Sequence, residues 1–224
     1  MDWIALGVSL RLSFWTMLLL LVVGMPIAYW VAFSRWRFKF LIEAIVALPL
    51  VLPPTVLGFY VLLSIGPKSP LGNLYQTVTG GLLPFSFEGL LVASVLYSLP
   101  FAVQPFASAF AAVDPRLIEA SRCLGARGGR TFRRVILPLS VPGVVTGMVL
   151  SFAHTLGEFG VVLMVGGNLP GKTRTASISI YDSVQALDYS SALATSLLLL
   201  SVSFGVLVIV YAMRKSVWAA WPTK

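Results

Sequence analysis

The sequence predicts an all-α, polytopic membrane protein, and three observations carry that reading. Of its 224 residues 58% are hydrophobic and only 11% charged, against roughly 25% charged in a soluble globular domain. Five apolar stretches are each long enough to cross a hydrocarbon core of about 30 Å at about 1.5 Å per residue. Only one long polar segment, Val113 to Pro138, interrupts them, and it holds six of the 16 Lys and Arg residues. The whole chain, 1–224, reads as one membrane domain. A net charge of +8 would suggest nucleic acid in a soluble protein. Here the charges collect in loops, as membrane orientation demands, so the expected surroundings are a lipid bilayer and no nucleic-acid partner is expected.

The first stretch runs from Ala5 to Phe33. It is too long for the apolar core of a signal peptide and no small-residue cleavage site follows, so it is expected to stay attached. The second, Glu43 to Ile65, contains Pro49, Pro53, Pro54 and Gly58. Each proline removes an amide donor and crowds the preceding turn, freeing carbonyls that must face protein or water rather than lipid. Such kinks line or gate a translocation path in transporters, and also occur as ordinary packing features. The third stretch, Gly89 to Ala112, repeats the pattern more mildly with Pro100 and Pro105 beside Gln104.

The polar segment begins with Asp114-Pro115, a helix start in which the aspartate caps and proline at the first position loses nothing. This helix should stop at Gly125, with Leu117, Ala120, Ser121 and Leu124 on one face. A second short helix is expected from Arg130 to Leu137, with Pro138 as its end or a bend. The lone Cys123 allows no disulfide within the chain and no thiolate cluster.

The fourth stretch, Ser140 to Val165, carries Gly143 and Gly147, a spacing that lets another helix approach closely. It also carries His154 and Glu158, the ionisable groups lying well within a span. Their i, i+4 spacing places them on one helical face, and intramembrane ionisable groups are candidates for the path or its outer gate. One His and one Glu leave zinc two ligands short, so no metal site is expected. The following Gly166 to Thr173 fits the phosphate-loop pattern GxxxxGK[ST]. Without a strand before it and an α/β domain around it, nucleotide binding is not expected. The fifth stretch runs from Ser190 to Met213. A sixth span arises if the first long segment or an outer loop re-enters the membrane.

Basic residues set the orientation. With the N-terminus outside, twelve of the 16 Lys and Arg residues fall in inner segments: Arg35, Arg37 and Lys39, the six central arginines, and Arg214, Lys215 and Lys224. Arg11, Lys68, Lys172 and Arg174 remain outside. The split puts the polar segment and the C-terminus in the cytoplasm.

Glu119-Ala120-Ser121, then Gly125, then Val135-Ile136-Leu137-Pro138, resembles the EAA loop of ABC importer permeases, with Ser121 and Val135 as mild departures from the usual Ala and Ile. The LPLVLPP run, Leu156-Gly157-Glu158-Phe159-Gly160, and Gly167 to Thr175 with Ile180-Tyr181 resemble molybdate and tungstate permeases of that family. Sulfate permeases share part of this. The resemblance implies a type I ABC importer permease fold in a bacterial or archaeal cytoplasmic (inner) membrane, and transport of an oxyanion, molybdate or tungstate, by alternating access. It further implies a homodimeric pore with two cytoplasmic ATPase subunits, which hold ATP and Mg²⁺, and an outer molybdate-binding protein. The chain itself would bind no cofactor and carry no catalytic residue. It assigns ATPase coupling to Glu119, Ala120, Ser121, Leu124, Gly125, Leu137 and Pro138. The alternatives are a sulfate permease or, from another class, a self-contained secondary carrier or channel using Glu158 and His154 for ion coupling. A membrane enzyme lacks parts: one His, no second buried acid and no Cys within a span.

Overall fold

A computed structural model describes residues 2–219. The helices are α1 (Trp3–Phe33), α2 (Lys39–Val51), α3 (Pro54–Ile65), α4 (Pro70–Thr79), α5 (Phe87–Ala111), α6 (Pro115–Cys123), α7 (Gly128–Thr131), α8 (Leu137–Leu156), α9 (Gly160–Gly166), α10 (Ala176–Gln185) and α11 (Tyr189–Ala219). A π-helical turn, Phe132–Ile136, joins α7 to α8. Among the described residues there is no strand. Lys224, counted above with the inner charges, lies outside the described residues.

α1, α5 and α8 form the centre. α1 and α5 run parallel: Arg11 stacks over Phe87 at their starts, 4.3 Å from the ring centroid, and Gly24 faces Val103 and Phe106 further along. α8 runs back against α5, with Ser98 Oγ 2.9 Å from Thr155 Oγ1 near one end and Ser140 Oγ donating to the Ala109 carbonyl at the other. Gly143 and Gly147 seat α8 on α5 as their spacing predicts. A Cβ on Gly147 would lie 2.6 Å from the Phe106 ring, and one on Gly143 would collide with Ala109. Among helices in lipid, close packing of small residues rather than water exclusion drives association. Phe106 and Phe110 are fully buried in the resulting core with Leu20, Ala28 and Ile136.

Parallel α1 and α5 require the chain to cross back between them, and α2 with α3 makes that crossing. The sequence suggests a stretch kinked and broken at its prolines, and the break is sharper than a kink. α2 and α3 meet at an angle of 115°. Two successive prolines explain the break, because a residue before proline is pushed out of the helical region. Leu52 and Pro53 both sit in extended geometry, ψ 136°, and Pro54 opens α3 as its first residue. In contrast Pro100 and Pro105 leave α5 unbroken.

Two expectations are corrected. Pro138 ends nothing: the helix starts at Gly128 and runs to Leu156, 29 residues in all. The π turn accommodates the proline, since Leu137 N–H bonds to the Phe132 carbonyl five residues back and the wider turn makes room for a ring without a donor. The fourth stretch is not one helix either. α8 stops at Leu156, Gly157 caps it, and α9 starts only at Gly160.

The helix directions gather Ser34–Phe38 and the 112–136 segment at one end, the basic end. Asp2, Arg11, α4 and the 166–188 segment lie at the other. There Ala176 N–H donates to Ser9 Oγ at 2.8 Å, tying α10 to α1. Asp188 caps the start of α11 through Ser191 N–H.

Candidate functional site: a coupling segment and a helix junction

The polar segment folds as its residues dictate. Asp114 Oδ1 accepts from Arg116 N–H at 2.9 Å and Pro115 is the first helical residue of α6. At the other end Gly125 has φ +76°, a left-handed conformation that costs a side chain about 1–2 kcal/mol. Gly125 N–H bonds to the Arg122 carbonyl and Ala126 N–H to that of Ser121, the paired bonds of a Schellman end. α6 thus terminates at the predicted glycine.

Ile118 is the one residue of α6 buried against the body. Leu117, Ala120, Ser121 and Leu124 share a face and line an open cleft of about 400 Å³ with Ala126, Arg130 and Val135. Leu124 is 89% exposed at the mouth of this cleft, and Glu119 is exposed beside it. Ser121 Oγ lies 3.0 Å from Thr131 Oγ1, so the displayed helix is pinned to the base of the long helix that becomes α8. Leu137 and Pro138, grouped with α6 by sequence, lie within that long helix, past the π turn. Phe132 in the π turn packs edge-on against Tyr29 of α1 and Phe110 of α5. One short chain of contacts, Ser121 to Thr131 and Phe132 to Tyr29 and Phe110, thus connects α6 with α8, α1 and α5.

The second site lies where the two broken stretches meet. A Cβ on Gly160 would stand 2.7 Å from Pro54 Cβ, and one on Gly58 would stand 2.7 Å from Met164 Cβ. The breaks at Leu52–Pro53 and Gly157–Phe159 thus abut, and α3 lies along α9. Pro54 flanks the contact, Pro53 is exposed at the bend, and Pro49 is buried within α2. The loop ahead of α5 braces the same pair: Phe85, at φ +60°, donates its N–H to the Val165 carbonyl at the end of α9.

Glu158 and His154 are not partners on one helical face, because the helix ends between them. Glu158 is only 7% exposed, and its Oε1 accepts from Val161 N–H at 2.9 Å, closing the first turn of α9. His154 lies in an aromatic slot, stacked on Phe101 at 3.9 Å between centroids and tilted against Tyr97 at 4.8 Å. Its Nδ1 is 3.0 Å from Ser98 Oγ. Gly160 enters the sequence reading only within the Leu156–Gly160 motif, with no packing role, and Met164 and Phe85 escape it. The signal for the first was present, a second glycine flanking an intramembrane acid, but glycine is common in membrane helices.

The loop that matches the phosphate pattern is closed on itself. Thr173 Oγ1 donates to the Gly166 carbonyl at 2.7 Å and accepts from Leu169 N–H at 3.2 Å, and its side chain is fully buried. Arg174 is occupied by Asp2 and Asp182, so it offers no free charge to an anion.

Residues 24–218 match the family described as the binding-protein-dependent transport system inner membrane component. The molybdenum transport system permease protein ModB of Azotobacter vinelandii is 52% identical, covering 96% of this chain and 95% of that protein. The ModB of Escherichia coli K12 is 36% identical, with 82% of this chain and 80% of that protein covered. Among solved structures, a bacterial ABC transporter involved in import of the polysaccharide alginate superposes with TM-score 0.76 at 17% identity, covering 95% of this chain and 78% of that one. The MetNI methionine ABC transporter superposes with TM-score 0.74 at 18% identity, covering 95% and 94%. At such identities the structures bear on the fold alone, which is that of type I ABC importer permeases. The chain belongs to the binding-protein-dependent transport system inner membrane component family.

Proposed function

We propose that this chain is the membrane-spanning subunit of an ATP-driven importer for molybdate, tungstate being close enough in shape and charge to share the path. The observation that carries this reading is likeness along nearly its whole length to permeases named for molybdenum transport, 52% identical in one case. Two copies form the pore. Two cytoplasmic ATPase subunits dock on the open cleft of α6 and hold the ATP and Mg²⁺, neither of which this chain binds. An outer binding protein delivers the oxyanion. Residues 1–224 act as one permease domain, with the basic end in the cytoplasm, the N-terminus outside and the C-terminus inside, as the charge distribution favours.

In this reading Glu119, Ala120, Ser121, Leu124 and Gly125 present the docking face, and Leu137 and Pro138 continue the lever behind it. ATPase closure shifts α6. The Ser121–Thr131 bond and the Phe132 cluster carry the shift into α8, α1 and α5. α8 ends at the junction of Pro54 and Gly160, where two short helices separate more readily than two continuous spans, so that junction is the gate. Pro49, Pro53 and Pro54 shape one side of it, Glu158 the other, and His154 lines the approach. No side chain here performs catalysis. The test is ATP hydrolysis and solute uptake in proteoliposomes containing this chain, its ATPase and a molybdate-loaded binding protein. Molybdate entry with stimulated hydrolysis supports the proposal, sulfate entry alone replaces the solute, and uptake without ATP overturns it.

A further inference from the structure

A largely apolar cleft on the outer flank of α1 shares no residue with the α6 cleft but backs onto the Tyr29–Phe132 contact. It has a volume of about 510 Å³ and lies between α1 and the first turn of α7. Val22, Met25 and Tyr29 form its wall, Phe132 its floor, and Gly128 and Gly129 its mouth. From Tyr29 to Val22 is seven residues of helix, so the cleft descends about 10 Å from the basic end into the apolar zone. Val22 is 69% exposed. A Cβ at Gly128 or Gly129 would meet nothing within 4 Å, so the glycines leave the mouth open.

Charge distinguishes this mouth from the rest of the lipid-facing surface. Arg127 and Arg133 are exposed and flank the two glycines in sequence, while Arg130 lines the α6 cleft instead. Arg127 precedes the first turn of a 29-residue helix and makes no side-chain capping bond. The amides of Gly128 and Gly129 belong to that first turn and lack intrahelical acceptors. Cationic side chains and free amides above a narrow apolar slot are complementary to one amphiphile, a phosphodiester carrying an acyl chain. Basic pockets between membrane helices on the cytoplasmic side hold anionic headgroups for this reason.

We propose that the cleft between α1 and the Gly128–Gly129 turn binds one anionic phospholipid from the leaflet at the basic end. Its phosphate lies by Arg127 and the glycine amides, and one acyl chain runs along Met25 and Val22. The lipid would wedge against Tyr29 and Phe132, next to the link between α6 and the central helices. The inference does not depend on which solute is transported.

The test uses the assembled permease and ATPase complex in nanodiscs of equal phosphatidylglycerol and phosphatidylcholine, with lipid retained on the complex read by native mass spectrometry. Phosphatidylglycerol should be retained over phosphatidylcholine by about tenfold, and Gly129→Leu, which fills the mouth, or Arg127→Glu should each cut that retention about fivefold or more. Soluble glycerol phosphate should not displace it, because the acyl chain is part of the ligand. A photocrosslinking residue at Val22 in an otherwise unchanged chain covers the case in which Gly129→Leu fails to assemble, and it should capture phosphatidylglycerol. Equal retention of the two lipids, retention indifferent to Gly129→Leu, or crosslinking of Val22 to the second permease copy would each overturn the proposal.

Discussion

Gly160 lies against Pro54 so closely that a single added carbon would fall 2.7 Å from the proline Cβ. The contact joins the only two places among the described residues where a long apolar stretch is broken by extended or irregular backbone inside its length. Both breaks leave backbone groups outside a helical ladder, and in a bilayer such groups persist only where protein or an aqueous path receives them. Under the proposed function, this close approach is where the path is interrupted.

Enlarging Gly160 tests this directly. Gly160→Leu should force α9 away from α3, with an overpacking cost of about 1–3 kcal/mol. Uptake should fall at least about tenfold while ATPase association is unaffected, since α6 lies at the opposite end. Uptake and copurification measured on the same preparation decide it. A Gly160→Leu chain with unchanged uptake would show that the junction is rigid packing and no gate.

Glu158 separates a capping role from a coupling one. Its carboxylate accepts from Val161 N–H in a buried setting, so Glu158→Ala should leave amides unbonded and cost about 1–3 kcal/mol. Glu158→Gln keeps an acceptor and should preserve most ATP-dependent uptake. If Glu158→Gln instead abolishes uptake while the thermal midpoint is unchanged, the charge itself takes part in transport.

Much of this architecture is legible in the residues, and the failures share a cause. Asp114-Pro115 and Gly125 delimit α6 because capping and left-handed geometry are local chemistry. Of the Lys and Arg within the described residues, eleven fall at the basic end of the bundle and four at the other, because helix direction alone sets it. Leu52, Pro53 and Pro54 announce a break, yet the 115° turn depends on where α9 offers a surface. The stop at Gly157 is hidden because apolar residues continue on both sides of it. Pro138 misleads in the opposite sense: a proline reads as an end, and only a π turn, set by Phe132 packing on Tyr29 and Phe110, lets the helix pass. Local signals fix caps; contacts between distant segments decide which irregularities become breaks.

The coupling route through Ser121 and Thr131 makes a quantitative claim. Each of Ser121→Ala and Thr131→Val removes one partner of a 3.0 Å bond and should cost about 1 kcal/mol. The double variant should cost no more than the worse single one, since the second removal takes nothing further. Uptake should fall further than ATP hydrolysis, because the docking face remains while its lever loosens. Equal losses in both, or additive stability costs, would remove this bond from the route.

Gly125 carries the backbone geometry of the same face. At φ +76° a Trp is strained by about 1–2 kcal/mol and also blocks the end of α6, so Gly125→Trp should abolish uptake while membrane insertion stays intact. Gly125→Asn, whose side chain tolerates this region, should keep substantial activity. Normal uptake by Gly125→Trp would detach the turn from ATPase docking.

At the end of the bundle opposite α6, Asp182 and Arg174 form an ion pair. Burial disfavours ionisation of Asp182, but hydrogen bonds from Arg174 and Asn168, with the Arg174 charge behind them, outweigh it and hold the carboxyl below its ordinary 3.8. Arg174 also reaches Asp2 at 3.7 Å, so the cluster clamps α10 to the start of α1. A carboxyl depressed in the folded state contributes stability in full above its unfolded value and loses it as pH falls through the folded value. The wild-type thermal midpoint should therefore exceed that of Asp182→Asn by a constant margin down to about pH 4, and the margin should close below it. Subtracting the variant removes the common acid response of other carboxylates, including Asp188, which its serine partners hold near 2. A margin that persists undiminished to about pH 2 would mean that the ionised carboxylate is not what clamps α10.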